Sequence, residues 1–204
     1  ALLLRGRMLL SQDKPAEAVK NLAVAAKANP LPEYQWALAE ALCAADRKTE
    51  AADLEAHLQA SGAQNDPRTY SLFLATRNEA PVTALRLAEA ELQQRQDVFT
   101  QDALAWALAA NGRLAEAKEH MELALAENTE DARLFFHAAV ISEQVGESAA
   151  AEKWFTRAAG LRQMLLPSER TQLLQLAKKF PAGNPTAAMA AIHQSSVQSL
   201  TAGN

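Results

Sequence analysis

A small residue returns along this chain at an almost constant interval: Ala18, Ala51, Ala84, Ala117 and Ala151 lie 33, 33, 33 and 34 residues apart. At its clearest the phrase continues with apolar residues four and seven positions later, as in Ala18-Leu22-Ala25, Ala117-Met121-Ala124 and Ala151-Phe155-Ala158. Self-similarity of this length marks architectures in which no single unit buries its apolar face alone, so that units must stack. The interval accommodates two helices of roughly a dozen residues each plus two short turns, which is a helical hairpin.

Turn chemistry falls where such hairpins need it. Turns inside the hairpins are marked by Asp13-Lys14-Pro15, Asp46-Arg47, Asn78-Glu79-Ala80-Pro81, Asn111-Gly112-Arg113 and Gly146-Glu147. Gly and Asn suit the left-handed residue that ends a helix, and Pro suits the first turn of the next. Turns between hairpins are marked by Asn29-Pro30-Leu31-Pro32, Asp66-Pro67, Asp97 and Asn128-Thr129-Glu130-Asp131. Residues 167–180 predict one further helix, with Ser168 as N-cap and Leu173, Leu176, Ala177 and Phe180 on one face.

Composition agrees with an all-α fold. Of 204 residues 49% are hydrophobic, mostly Ala and Leu, while β-branched residues are scarce. The net charge of −4, with both signs interspersed, excludes the clustered basic face that nucleic acid or an anionic membrane surface requires. The longest strongly apolar run, 103–110, is too short to cross a bilayer. Cys43 is the single cysteine and forms no intrachain disulfide; with no His or basic cluster nearby it reads as a buried, inert thiol. The compartment is not encoded. Arg5 and Arg7 interrupt the leading Leu run, so no export signal is visible, and the chain opens inside a helical pattern, as a fragment or processed form would.

Taken together, these residues resemble the tetratricopeptide repeat (TPR). The first repeat carries Gly6, Leu9, Ala18, Leu22, Ala25 and Pro30 at the expected offsets, and the fourth carries Leu104, Ala105, Leu108, Ala117, Met121 and Ala124. The fifth keeps Ala139, Ala151, Phe155 and Ala158. The second and third diverge, with Glu55 and Ala88 at a usually bulky apolar position and Leu58 and Glu91 at a usually small one. The segment from Asp97 through Leu108 is similar to bacterial TPR proteins of unknown role. The resemblance implies a right-handed α-solenoid of about five hairpins over residues 1–166, whose first helices line a concave groove. Residues 167–181 would be a capping helix and 182–204 a tail, either disordered or a short docking helix bearing Met189, Ile192, Val197 and Leu200.

In that packing the groove positions are Leu3, Leu4 and Arg7, then Trp36, Ala37 and Glu40, then Thr69, Tyr70 and Phe73. Asp102, Ala103 and Trp106 follow, with Phe99 just ahead of them, and Phe136, His137 and Val140 complete the set. The chain has three Trp, two Tyr and six Phe, and six of these eleven rings fall on one expected surface. Rigid aromatics dominate binding hot spots, so the expected function is a non-enzymatic protein-protein interaction scaffold. It would hold a peptide or helix of a partner over Arg7, Trp36, Glu40, Tyr70, Phe73, Phe99, Asp102, Trp106, Phe136 and His137. The competing assignment is that the rings fill a narrow superhelix. The positions that grip a chaperone's C-terminal carboxylate in some TPR domains carry Leu3, Arg7, Ala37, Asp66 and Tyr70 here, which does not fit that clamp.

The alternative function is a structural or assembly subunit that self-associates through repeat edges or the tail, since Leu2, Leu3 and Leu4 would lie exposed at the first hairpin. No phosphate-binding loop, nucleophile elbow or paired-carboxylate motif points to an enzyme. His57, His120, His137 and His193 lie in different repeats or the tail without metal-ligand spacing, so neither metal nor cofactor is expected.

Overall fold

The computed structural model describes residues 1–180, and all regular structure among them is helical. Ten helices pack in five adjacent pairs. α1 (Leu2–Ser11) lies against α2 (Pro15–Ala28), α3 (Pro32–Ala44) against α4 (Lys48–Asn65), and α5 (Pro67–Arg77) against α6 (Pro81–Leu92). α7 (Val98–Ala110) pairs with α8 (Leu114–Ala126), and α9 (Ala132–Gln144) with α10 (Ser148–Gly160). A 3-10 turn at Arg162–Met164 leads into α11 (Pro167–Ala177).

The five turns inside the pairs repeat one backbone device. Asp13, Asp46, Asn78, Gly112 and Gly146 all adopt positive φ, between 53° and 85°. The next residue's N–H then returns to a carbonyl in the last turn of the helix: Lys14 to Leu9 at 2.9 Å, Arg47 to Leu42 at 2.9 Å, Arg113 to Leu108 at 3.0 Å. This closes carbonyls that would otherwise be orphaned at the helix end. Asp thus takes the left-handed role twice, where only Gly and Asn were anticipated; its short polar side chain tolerates that conformation. On the entry side, Asp66, Asp97 and Asp131 accept the N–H groups of Thr69, Thr100 and Leu134 and so cap α5, α7 and α9.

The recurring alanines Ala18, Ala51, Ala84, Ala117 and Ala151 are all buried. In α4 the bulky and polar positions are exchanged: Leu58 enters the core while Glu55 pairs with Arg77 at 2.7 Å. A second contact row lies beyond the pairs, because α1 touches α3, α3 touches α5, α5 touches α7 and α7 touches α9. That row turns back on itself. Arg133 of α9 reaches Glu33 of α3 at 3.3 Å and lies 4.8 Å over the ring of Trp36.

The final helix differs from the expected one in its cap. Ser168 is not its N-cap: Pro167 holds the first helical position, and the Glu169 carboxylate accepts the Leu166 N–H at 2.7 Å. α11 packs on α3 as well as on α9 and α10.

Candidate functional site

The odd-numbered helices present the expected groove residues to one another. Trp36 meets Phe73 edge-on at 5.7 Å, and Tyr70 stacks on Phe73 at 6.0 Å. Trp106 donates its indole N–H to Thr76 of α5 at 3.0 Å and packs on Phe136 of α9 at 5.5 Å. Asp102 lies 2.8 Å from Nδ1 of His137, which stacks on Trp106. Trp36, Glu40, Tyr70, Phe73, Asp102, Trp106, Phe136 and His137 are consequently all buried, and Phe99 alone of the six rings stays open, under the Arg68 guanidinium. The side chains expected to face a visitor reach neighbouring helices instead.

Along the axis of this row lies a string of charges. Arg7 of α1 pairs with Glu33 of α3, Glu33 with Arg133 of α9, and Arg133 with Glu169 of α11 at 2.5 Å. Burial, reinforced by the Arg133 charge, pushes Arg7 down to about 10. Burial pushes Glu169 up, but the Arg133 charge and the Leu166 N–H overrule it and hold this carboxyl below its ordinary range. Glu40 is raised by burial although it accepts the Trp36 indole N–H and the Ser168 N–H, each at 2.8 Å, and the Ser168 hydroxyl.

α11 is therefore seated along the inner row by polar pins to four other helices. Besides Ser168 on Glu40 and Glu169 on Arg133, Arg170 donates to the Leu10 carbonyl of α1 at 3.1 Å. Gln172 donates to the Thr76 carbonyl of α5 at 3.0 Å. Its apolar side buries Leu173, Leu176 and Ala177, and Phe180 packs on Phe155 at 5.2 Å. Beside it a cleft of about 550 Å3 remains between the C-terminal ends of α5, α7 and α9. Trp106 and Val140 supply apolar wall, Asn78, Gln144, Gln172 and Gln175 supply amides, and the Lys179–Glu143 pair at 2.8 Å stands at one side. The amides of α11 were not foreseen, because nothing in their local spacing says which surface that helix will meet.

The Asp102–His137 pair has the polarity of a catalytic dyad, yet Nε2 of His137 has no hydrogen-bond partner and the ring is fully buried, so neither nucleophile nor substrate reaches it. Among the described residues no group of His, Cys, Asp and Glu is arranged to hold a metal ion, and no helix is long and apolar enough to cross a membrane. Cys43 is exposed rather than buried, and partial desolvation together with Glu55 and Glu40 raises its thiol. His120 bonds Gln101 at 2.7 Å, whereas His193 and the tail positions Met189, Ile192, Val197 and Leu200 lie outside the described residues. No family model, curated protein or solved structure matches this chain.

Proposed function

We propose that this chain is a non-enzymatic protein-protein interaction scaffold, a right-handed α-solenoid of five TPR-like hairpins whose inner face receives a helix or extended peptide from a partner. One observation carries the reading: the inner row already holds a helix, α11, gripped by side-chain pins from α3 and α9 and by backbone carbonyls of α1 and α5. A surface that seats one helix this way has the polar grammar for a second segment alongside it. The buried rings form the floor and give the scaffold its rigidity. Partner contact falls to the cleft beside α11, where amides can pair with both the donors and the acceptors of a peptide backbone.

The test is selective obstruction of that cleft. Ala110 lines it at the end of α7 and is only partly buried, so Ala110→Trp fills the space without entering the core. Proteins retained from a cell extract by the wild-type chain should be lost with Ala110→Trp, while circular dichroism and melting temperature stay the same. Equal retention by both proteins rejects the cleft as the binding surface.

A further inference from the structure

Each polar pin on α11 runs to a different hairpin. Arg170 reaches the first through the Leu10 carbonyl, Ser168 the second through Glu40, Gln172 the third through the Thr76 carbonyl and Glu169 the fifth through Arg133. A slide by one turn would break all four, so the direction and register of this helix are read at its side chains, as a bound helix is read in a groove. The apolar hold is small by comparison. α11 buries four residues, Glu169 among them, against eight in each of α3, α5 and α9 and nine in α7. Nor does α11 exhaust its seat. With Glu169 on Nε and Glu33 on Nη1, Nη2 of Arg133 is buried and has no hydrogen-bond partner among the described residues. Two extended residues, Leu165 and Leu166, deliver the helix to the row and are themselves buried, so α11 can turn about them while they stay in the core.

We infer that α11 is a resident stand-in for a partner helix, which takes the seat by displacing it. The inference rests on the reading of the inner row as a helix-binding face, and it names the chemistry that the row selects. An incoming helix needs a carboxylate for Arg133 at the place of Glu169 and a hydroxyl one place earlier for Glu40. Donors at the places of Arg170 and Gln172 meet the two carbonyls, and leucines four and seven places after the carboxylate repeat Leu173 and Leu176. A second acceptor in its first turn meets Nη2 of Arg133, which α11 leaves unmet. Against such a helix α11 has the advantage of a short tether, which places it at an effective concentration in about the millimolar range. Only a better fit in the same seat overcomes that advantage.

The probe is a fluorescein-labelled peptide copy of residues 165–180, titrated by anisotropy into the full chain and into its Arg170→Ala/Gln172→Ala variant. Both substituted side chains are partly buried and each bonds a backbone carbonyl, so the variant loosens α11 and leaves Glu40 and Arg133 in place. The variant should bind the copy at least tenfold more tightly than the wild type does, and a copy carrying Glu169→Lys should bind neither. Equal affinity for the two proteins, or binding that survives Glu169→Lys, overturns the inference. Hydrogen exchange on the wild type needs no variant: amides of 171–177 should exchange at least tenfold faster than those of 135–141. Equal protection would mean that α11 opens only with the whole molecule, and it also overturns the inference. If the copy fails to bind while Ala110→Trp still abolishes capture, displacement is rejected and the cleft reading stands.

Discussion

Trp106 and His137 stack face to face, their ring centroids 4.1 Å apart and their planes within 11° of parallel. The pair joins α7 to α9, with Asp102 on Nδ1 of the imidazole and Thr76 accepting the indole N–H. The Trp106 ring, stacked on His137, packed on Phe136 and tied to Thr76 at its polar tip, is a structural member.

Trp106→Ala should accordingly cost about 3–5 kcal/mol, the range of large aromatic truncations in a packed core. Urea denaturation monitored by circular dichroism measures it. A loss below about 1 kcal/mol would return Trp106 to the role of a surface anchor.

Glu169→Gln should destabilise by about 3 kcal/mol at neutral pH, the low end for breaking a buried pair, because it leaves the buried Arg133 charge with only the longer contact to Glu33 at 3.3 Å. The pH dependence has a definite sign. Glu169 titrates below its unfolded value, so its contribution is present above about pH 4.3 and is lost as pH falls through the folded value. The gap between wild type and variant in urea titrations should therefore narrow on acidification below that point.

Glu40 has the opposite sign. Burial raises its folded pKa above the unfolded one, so its protonated form favours the fold at low pH and that advantage is lost as pH rises through the folded value. Glu40→Gln retains an acceptor for Trp36 and Ser168 without the buried charge. The stability of this variant relative to wild type should rise between pH 4 and pH 8 in the same titrations. A flat difference would mean that Glu40 titrates as an ordinary carboxyl.

Two glycines separate packing from helix propensity. A Cβ on Gly6 would lie 2.4 Å from the buried side chain of Leu22, whereas a Cβ on Gly160 meets nothing within 4 Å. Gly6→Ala should cost about 1–3 kcal/mol through overpacking, against its gain in propensity. Gly160→Ala should gain from a few tenths up to about 1 kcal/mol. Thermal melts of the two variants should move in opposite directions.

What the amino-acid order alone determined here is local and nearest-neighbour. The five alanines, the Asp, Asn and Gly turn residues and the capping aspartates specify ten helices in five pairs, because each depends on a few residues and one adjacent helix. Ala51, whose α4 reverses its bulky and polar positions, kept its place for the same reason. Only the tertiary structure decided what happens on the inner row. Arg133 meets Glu33, one hundred residues earlier in the chain, and no single segment encodes that contact. Packing between helices far apart in sequence buried Trp36, Tyr70, Phe73, Trp106 and Phe136, and Ser168 turned from capping its own helix to bonding Glu40. Side-chain type announces which residues share a face. Whether that face meets solvent or protein depends on which distant helices reach it, and that is a property of the assembled chain.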